Sequence, residues 1–475
     1  MDVYKIVLLF CCLQLSLVAQ QKEDIVSIKI NSPSFKNKMH YLAGYYGKYT
    51  VLLDSAKASN NGELLFKNTK KYTQGIYMLV NSDKNIVTEF IIDEKQQYSI
   101  ALNITNPEKS TIVNSEVNTR FFEFNALLKQ NNIEIKKLVE QLENAPTKND
   151  SIVIKHKISN LNNTLNNYKN NFTKEHPNNI LSLLFNLSKP VENYFNNEKF
   201  TSKKDSLTFL KDAYFKEINL SDNRLLRNPF LEKKINTYFD LFVPKTPKDL
   251  TFEITDILNR TGDKNGEMFS YLSIFFVNNY VNAKIMGNDR VFINIYNTFF
   301  KNKTYNWLTT KQQIFLNTSN LQIKDNLIGN KAKNLFMTSI NEQKLNLYNV
   351  NAPYTIVIFW DPSCGHCVKE LPKINKLYTS NLKNKGVKIY AVNINPELKK
   401  EWKEFIFKEK LNDWIHVYPS SVVYGNYSKE DTDFQTLYNV NQTPVIYLLD
   451  KNKIFRAKKI SVEKFKFIIN KLENK

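Results

Sequence analysis

Seven residues, Tyr354 to Trp360, all apolar or aromatic except Thr355, run straight into Asp361-Pro362-Ser363-Cys364-Gly365-His366-Cys367. Such a short apolar run bounded by turn residues predicts a buried strand. A helix is expected to begin at the cysteines. This would put Cys364 at a helix N-terminus, where unpaired amides and the macrodipole favour an anion. Thiolate is the nucleophilic form of cysteine, so lowering a free-cysteine pKa of about 8.5 raises the reactive fraction at neutral pH. Cys364 is therefore expected to be the attacking sulfur. Cys367, one helical turn further on, is placed to attack a mixed disulfide formed at Cys364 and release the reduced partner, and the reverse order donates a disulfide. His366 lies between them, one of five histidines in the chain. As a cation it would stabilise the thiolate, and with it the reduced state, making the pair a better oxidant.

The chain has four cysteines, and the other two, Cys11 and Cys12, fall in a mostly apolar stretch from Ile6 to Val18 that follows Lys5 and precedes Ala19, Gln20, Gln21, Lys22 and Glu23. A spanning helix needs about 20 apolar residues. The stretch reads instead as an export signal cleaved near Ala19 or Gln20, with an uncleaved anchor as the alternative. Lipid attachment at Cys11 or Cys12 is disfavoured, because Phe10 and Cys11 are not small residues. The mature chain would then work outside the cytoplasm, in the periplasm, with Cys364 and Cys367 as its whole cysteine complement. A secreted protein stapled by disulfides usually scatters several pairs along its length. A zinc site would need about four ligands, and no second cysteine pair is present. A permanent bridge across so short a loop would stabilise little through chain entropy. No metal is expected.

At 475 residues the chain exceeds one compact unit of roughly 100 to 200 residues. From about Asp24 to Val113, short alternating runs such as Ile25 to Ile30, Tyr49 to Leu53, Gly75 to Val80, Phe90 to Ile92 and Tyr98 to Leu102 are separated by turn material at Asn60-Asn61-Gly62 and Asn81 to Asn85. Period-two alternation of this kind predicts an antiparallel β-sandwich or barrel. After Ser115 the period becomes helical, with Phe121, Phe124, Leu128, Ile135, Leu138, Val139 and Leu142 recurring mostly at three- and four-residue steps, a pattern repeated at Leu231, Ile235, Tyr238, Phe239 and Phe242. An all-helical region follows. From Asn326 onward strands and helices alternate: strands at Thr355 to Trp360, Val387 to Ile394 and Val445 to Leu449, a helix over Glu397 to Lys410, and a last helix with Val462, Phe465, Ile469 and Leu472 on one face. That order implies an α/β sheet covered on both sides. The expected division is a signal peptide over 1–20, a β-sandwich-like domain over 21–115, a helical domain over 116–322 and an α/β domain over 323–475, a multidomain α+β chain.

The formal net charge is +20, and the bases are interleaved with acids, as in Lys399-Lys400-Glu401-Trp402-Lys403-Glu404. No long block of one sign exists to track a nucleic-acid backbone. No nucleic-acid partner is expected, while weak association with an anionic membrane surface stays open.

The stretch Phe359 to Cys367 resembles the active site of thioredoxin-fold oxidoreductases. Glu370 and Pro372 resemble its continuation in the extracytoplasmic, cytochrome-maturation type of that superfamily, and Gln442-Thr443-Pro444-Val445 resembles the loop whose cis-proline faces the cysteines. The resemblance covers roughly residues 325 to 475. It implies a thioredoxin fold, a redox-active disulfide between Cys364 and Cys367 as the working group with no other cofactor, and protein or peptide thiols and disulfides as partners, along with a membrane or periplasmic electron-donor protein. It further implies that Thr443 offers backbone groups to an extended substrate, that Pro444 packs against the disulfide and keeps metal away, and that Glu370 relays a proton for Cys367. Trp360 reads either as core or as a wall of the site, and is counted with Thr443 and Pro444 among the substrate-binding residues. Glu370 has a plainer reading as a solvated helix residue, and His416 one as a strand-edge residue. Two departures stand out: Ile358 occupies the place where many thioredoxins bury an acid, and Ser363 replaces the usual aromatic. The Cys-Gly-His-Cys quartet also resembles protein disulfide isomerases. More loosely, Gly62 to Phe66 and Asn114 to Asn118 resemble the N-terminal parts of thioredoxin-family proteins from Bacteroidetes.

The expected function is therefore extracytoplasmic thiol-disulfide exchange. The alternative is an envelope binding protein whose first 320 residues recognise a partner while the cysteine pair is secondary.

Overall fold

The computed structural model describes residues 25–191, 200, 202–419, 433–461, 464, 465, 467, 468 and 470. The expected signal segment, with Cys11 and Cys12, lies outside them, as do Val462, Ile469 and Leu472 of the expected last helix. Contacts divide the chain into two compact units, Met1–Ile218 with Asp222–Thr237, and Asn219–Ser221 with Tyr238–Lys475.

The first unit opens with eight strands: β1 (Val26–Asn31), β2 (Met39–Tyr46), β3 (Tyr49–Lys57), β4 (Glu63–Asn68), β5 (Gly75–Asn81), β6 (Ile86–Ile92), β7 (Gln97–Ala101) and β8 (Thr111–Val113). They form two four-stranded sheets, ordered β4-β1-β7-β8 and β3-β2-β5-β6. The alternation that predicted them is the alternation that buries them, since Val26, Ile28 and Ile30 point into one core with Leu64, Phe66, Tyr98 and Ile100. All pairings are antiparallel except one, because β1 runs parallel to β7, a departure from the expected purely antiparallel sandwich. Strand β1 pairs with β4 on one side and, on the other, with a strand from much later in the chain.

Helix α1 (Glu116–Glu143) starts where the period changes, capped by the Ser115 side chain, which accepts from the Asn118 amide. Asn118 is fully buried and bonds to the sheet as a strand residue would: its Nδ2 donates to the Ile91 carbonyl at 2.8 Å and its Oδ1 accepts from the Ile91 amide at 2.7 Å. One side chain thus satisfies two buried edge groups of β6. Helices α2 (Lys148–Glu175), α3 (Ile180–Leu187), α4 (Lys203–Ala213) and α5 (Leu231–Phe242) follow, and the boundary between the units falls within α5.

The second unit continues with α6 (Pro247–Arg260), α7 (Glu267–Val281), α8 (Asp289–Ile295) and α9 (Thr310–Lys324), then strands β9 (Phe336–Ser339), β10 (Lys344–Asn346) and β11 (Tyr354–Trp360). After these come α10 (Gly365–Leu377), β12 (Lys388–Asn393), α11 (Lys399–Lys408), β13 (Ile415–Tyr418), α12 (Phe434–Leu437), β14 (Val445–Asp450) and β15 (Phe455–Lys458). The region between β8 and β9 is all-helical among the described residues, but its helices divide between the two units. The later ones stay with the final sheet through buried polar chemistry. Lys458 on β15 pairs with Asp289 at the start of α8, and the same ammonium donates to the Asn326 carbonyl at 3.0 Å and to its side-chain oxygen at 2.8 Å.

The seven strands of this unit form one mixed sheet, ordered β10-β9-β13-β12-β11-β14-β15. Strand β11 sits inside it, parallel to β12 and antiparallel to β14. Its alternate side chains feed opposite cores: Ile356, Ile358 and Trp360 join α10 and α11 on one face, while Val357 and Phe359 meet Tyr438, Tyr447 and Phe455 on the other. A strand covered on both faces carries no polar alternation, which is why it reads as a continuous apolar run.

His416 lies on β13 between β9 and β12, so its place is inside the sheet and not at an edge. It is 5% exposed, its Nε2–H donates to the Leu411 carbonyl at 2.8 Å, and its Nδ1 has no partner. Burial pushes its pKa down to about 4, with the Leu411 bond acting weakly in the other direction. The folded value lies below the unfolded one of about 6.5, so the stabilisation is complete above that pH and is lost as pH falls toward 4. The expected loss across this window is about 3 kcal/mol. His416→Phe should flatten the stability profile from denaturant titrations between those limits, whereas wild-type slope persisting in the variant would disprove the assignment.

Candidate active site

Strand β11 ends at Trp360 and the chain turns on Asp361, whose Oδ1 accepts from both the amide and the hydroxyl of Ser363 at 2.7 Å. Its backbone carbonyl accepts from the Cys364 amide at 3.1 Å, and its other carboxylate oxygen accepts from Asn395 Nδ2 at 3.3 Å. This Asx-type turn sets Cys364 as the N-cap of α10, with extended backbone angles. Asp361 organises the loop, a role not read from the sequence even though Asp-Pro-Ser is turn-forming material.

The two sulfurs are placed unequally. Cys364 is partly exposed and Cys367 fully buried, packed with Ile358, Trp360 and Leu371; both are free thiols. Opposite them the chain entering β14 carries a cis Thr443–Pro444 bond. The Cys364 thiol donates to the Thr443 carbonyl at 3.4 Å. The resemblance placed these residues together, and the structure does so across a sequence separation of 79.

For Cys364, partial desolvation alone would raise the pKa, but hydrogen bonds from the Thr443 side chain, the Cys367 amide and thiol and the His366 amide more than offset it, so the thiol sits below its usual value. His366 thus acts on the sulfur through its backbone. Burial pushes the Cys367 thiol up to about 12, and the hydrogen bond and charge of Cys364 add to the rise. One thiol is shifted toward ionisation and its mate is held protonated.

A groove of about 430 Å³ runs beside the pair, bordered by His366 and Glu370 of α10, by Gln442 to Ile446, and by Lys459, Ile460 and Ser461 after β15. Among the described residues Glu370 is the one carboxylate bordering it, held by Lys373 Nζ at 2.7 Å. Trp360 does not reach it. It is fully buried, packs against Phe405 with ring centroids 5.4 Å apart, and leaves Nε1 without a partner. Its expected place among substrate-binding residues is therefore corrected: an inward-facing residue of a doubly covered strand cannot form a wall of the groove. Ile358 is likewise fully buried, so no acid lies behind Cys367 at that position. Lys459, Ile460 and Ser461 were not anticipated, since nothing local marks a strand exit as a groove border.

Residues 328–458 match the AhpC/TSA family, and residues 197–326 match a domain of unknown function, DUF5106. The thiol-disulfide oxidoreductase ResA of Bacillus cereus is 28% identical over 125 residues, 26% of this chain and 65% of that protein, so the chain spans just under two thirds of that curated relative. Among solved structures, a domain of a possible thiol-disulfide isomerase from Cytophaga hutchinsonii is 39% identical, covering 31% of this chain and 94% of that one with a TM-score of 0.28. A thioredoxin-like protein from Bacteroides caccae is 20% identical over 57% of this chain and 95% of that one, with a TM-score of 0.45. The C-terminal part of the chain is thus a thioredoxin-like domain of the AhpC/TSA family, homologous to the ResA-type thiol-disulfide oxidoreductases and preceded by further β-rich and helical regions.

Proposed function

We propose that the protein is an extracytoplasmic oxidoreductase that exchanges disulfides with protein or peptide substrates through Cys364 and Cys367. The observation that carries this is the opposite displacement of two neighbouring thiols, one lowered and partly exposed, the other buried and raised to about 12. The oxidoreductase name of the ResA relative supports the reaction class. Support for export comes from the apolar stretch Ile6 to Val18 behind Lys5, and among the described residues no helix is long and apolar enough to cross a membrane.

In the reducing direction, the Cys364 thiolate attacks one sulfur of the substrate disulfide. The S–S bond breaks, a mixed disulfide forms, and the leaving sulfur departs as thiolate and takes up a proton. Cys367 then loses its proton and attacks the Cys364 sulfur, which releases the second substrate thiol and leaves a Cys364–Cys367 disulfide. Two electrons have moved from the protein dithiol to the substrate, and the reverse sequence oxidises a substrate dithiol. No cofactor beyond this disulfide is required.

Thr443 and Pro444 border the groove and would present extended backbone to the substrate. A thiol near 12 needs a base to lose its proton at neutral pH, and Glu370, three residues beyond Cys367 on the same helix, is assigned that role. The electron source or sink is a second thiol protein of the membrane or periplasm.

Two measurements test the reading. With Cys367 near 12, its thiolate fraction at pH 7 is about one in 10⁵, so iodoacetamide should label Cys364 at least about 100-fold faster than Cys367 in the folded protein. Equal labelling, or a Cys364 no faster than an unstructured thiol, would remove the chemical basis of the proposal. Glu370→Gln should slow the second displacement about 100-fold, seen as a mixed disulfide that accumulates at Cys364. Normal resolution of that species would assign Glu370 to the helix surface alone.

A further inference from the structure

The groove beside Cys364 does not end at β15. Lys459 and Ile460 border it and also border a second cleft of about 280 Å³, reaching Lys284, Ile285 and Met286 beyond α7 and Lys464. The second cleft is strongly cationic. Among the described residues four lysines border it, Lys284, Lys458, Lys459 and Lys464, against one carboxylate, Asp289, and Asp289 is taken by Lys458. Three ammonium groups are left that form no ion pair among the described residues.

Their surroundings make them different from scattered surface charge. Lys284, Lys459 and Lys464 are exposed, while the floor between them is closed by buried Ile460 and Ile323. Ile285 and Met286 stand exposed at the rim, at 51% and 41%. Lys459 has a positive φ of 51°, so the chain turns sharply at the shared border. Desolvation and the neighbouring Lys458 charge hold the Lys459 pKa below its usual value, against the weaker pull of Asp289. A group so disposed gains from an incoming anion.

We infer that this cleft selects substrates, favouring polypeptide segments that carry carboxylates, with an apolar residue among them, close to the cysteine that reacts with Cys364. The cleft continues the groove that half-buried Thr443 and Pro444 border, so a chain bound there extends past Lys459 toward Lys284. Lysines spaced along a cleft suit an extended acidic chain that can lie in it, whereas a flat anionic bilayer would meet only the cleft's rim. The inference rests on Cys364 being the attacking sulfur.

The test uses the full chain, prereduced, in single-turnover reaction with two peptide disulfides that differ only in the flanking residues, acidic in one and basic in the other. The acidic peptide is expected to react about ten-fold faster at low ionic strength, a modest case of electrostatic steering. Raising salt to about 1 M, where the screening length falls to about 3 Å, should remove most of the difference. The combined Lys284→Glu and Lys459→Glu variant should lose or invert the preference, and the salt dependence of the wild type keeps the test decisive if that variant does not fold. Equal rates for both peptides in the wild type would overturn the inference and leave the thiol chemistry standing. Failure to reduce either peptide would overturn both. Sedimentation with phosphatidylglycerol vesicles that is lost in the variant, without any peptide preference, would assign the lysines to a membrane surface and overturn the inference.

Discussion

Strand β11 is held on both edges and covered on both faces, and the geometry of the cysteine site depends on that confinement. Its two neighbours place the structures that meet at its end. Beyond Trp360 the chain enters α10 with Cys364 as cap, and β14, paired along the other edge of β11, begins immediately after Thr443–Pro444. The two sides of the site are therefore set by the register of adjacent strands, Phe359 opposite Val445. A one-residue slip would turn every side chain of β11 to the wrong face, which two fully buried cores prohibit.

The inequality of the sulfurs follows from the same geometry. At the helix start, amides have no carbonyl partner within the helix and are free to donate to Cys364. A turn later the helix packs its face on β11, and Cys367 meets Ile358 and Trp360 instead of water. Neither effect requires a charged neighbour. The inequality therefore arises with a fully buried Ile358, and no acid, at that position of β11.

Much of this was legible in the sequence because the strongest signals are local. The apolar run of β11, the cysteine spacing and the change of period at Ser115 each depend on a few adjacent residues. Strands β9 and β10 carry no legible signal, since three or four residues apiece are too short to show alternation and owe their state to partners elsewhere in the sheet, and β13 is legible only as a strand at His416, not as one inside the sheet. The parallel pairing of β1 with β7 is a choice among long-range partners that no window of sequence contains. The position of Trp360 at a strand end leaves core and wall of the site both open, and its direction is decided by which face α11 covers. Lysines 284, 459 and 464 form a cleft only once α7 and the segment after β15 are brought side by side.

The buried ammonium of Lys458 bears on where this domain can be cut. Its partners, Asp289 and Asn326, both precede residue 328, where the AhpC/TSA similarity starts. A fragment trimmed to the family boundary would expose the exit of β15 and leave its ammonium without its carboxylate and amide, at the very corner where the groove is bordered by Lys459. The packing of the β15 exit thus draws on residues outside the matched family segment, and the start of the helix at Asp289 is part of that packing.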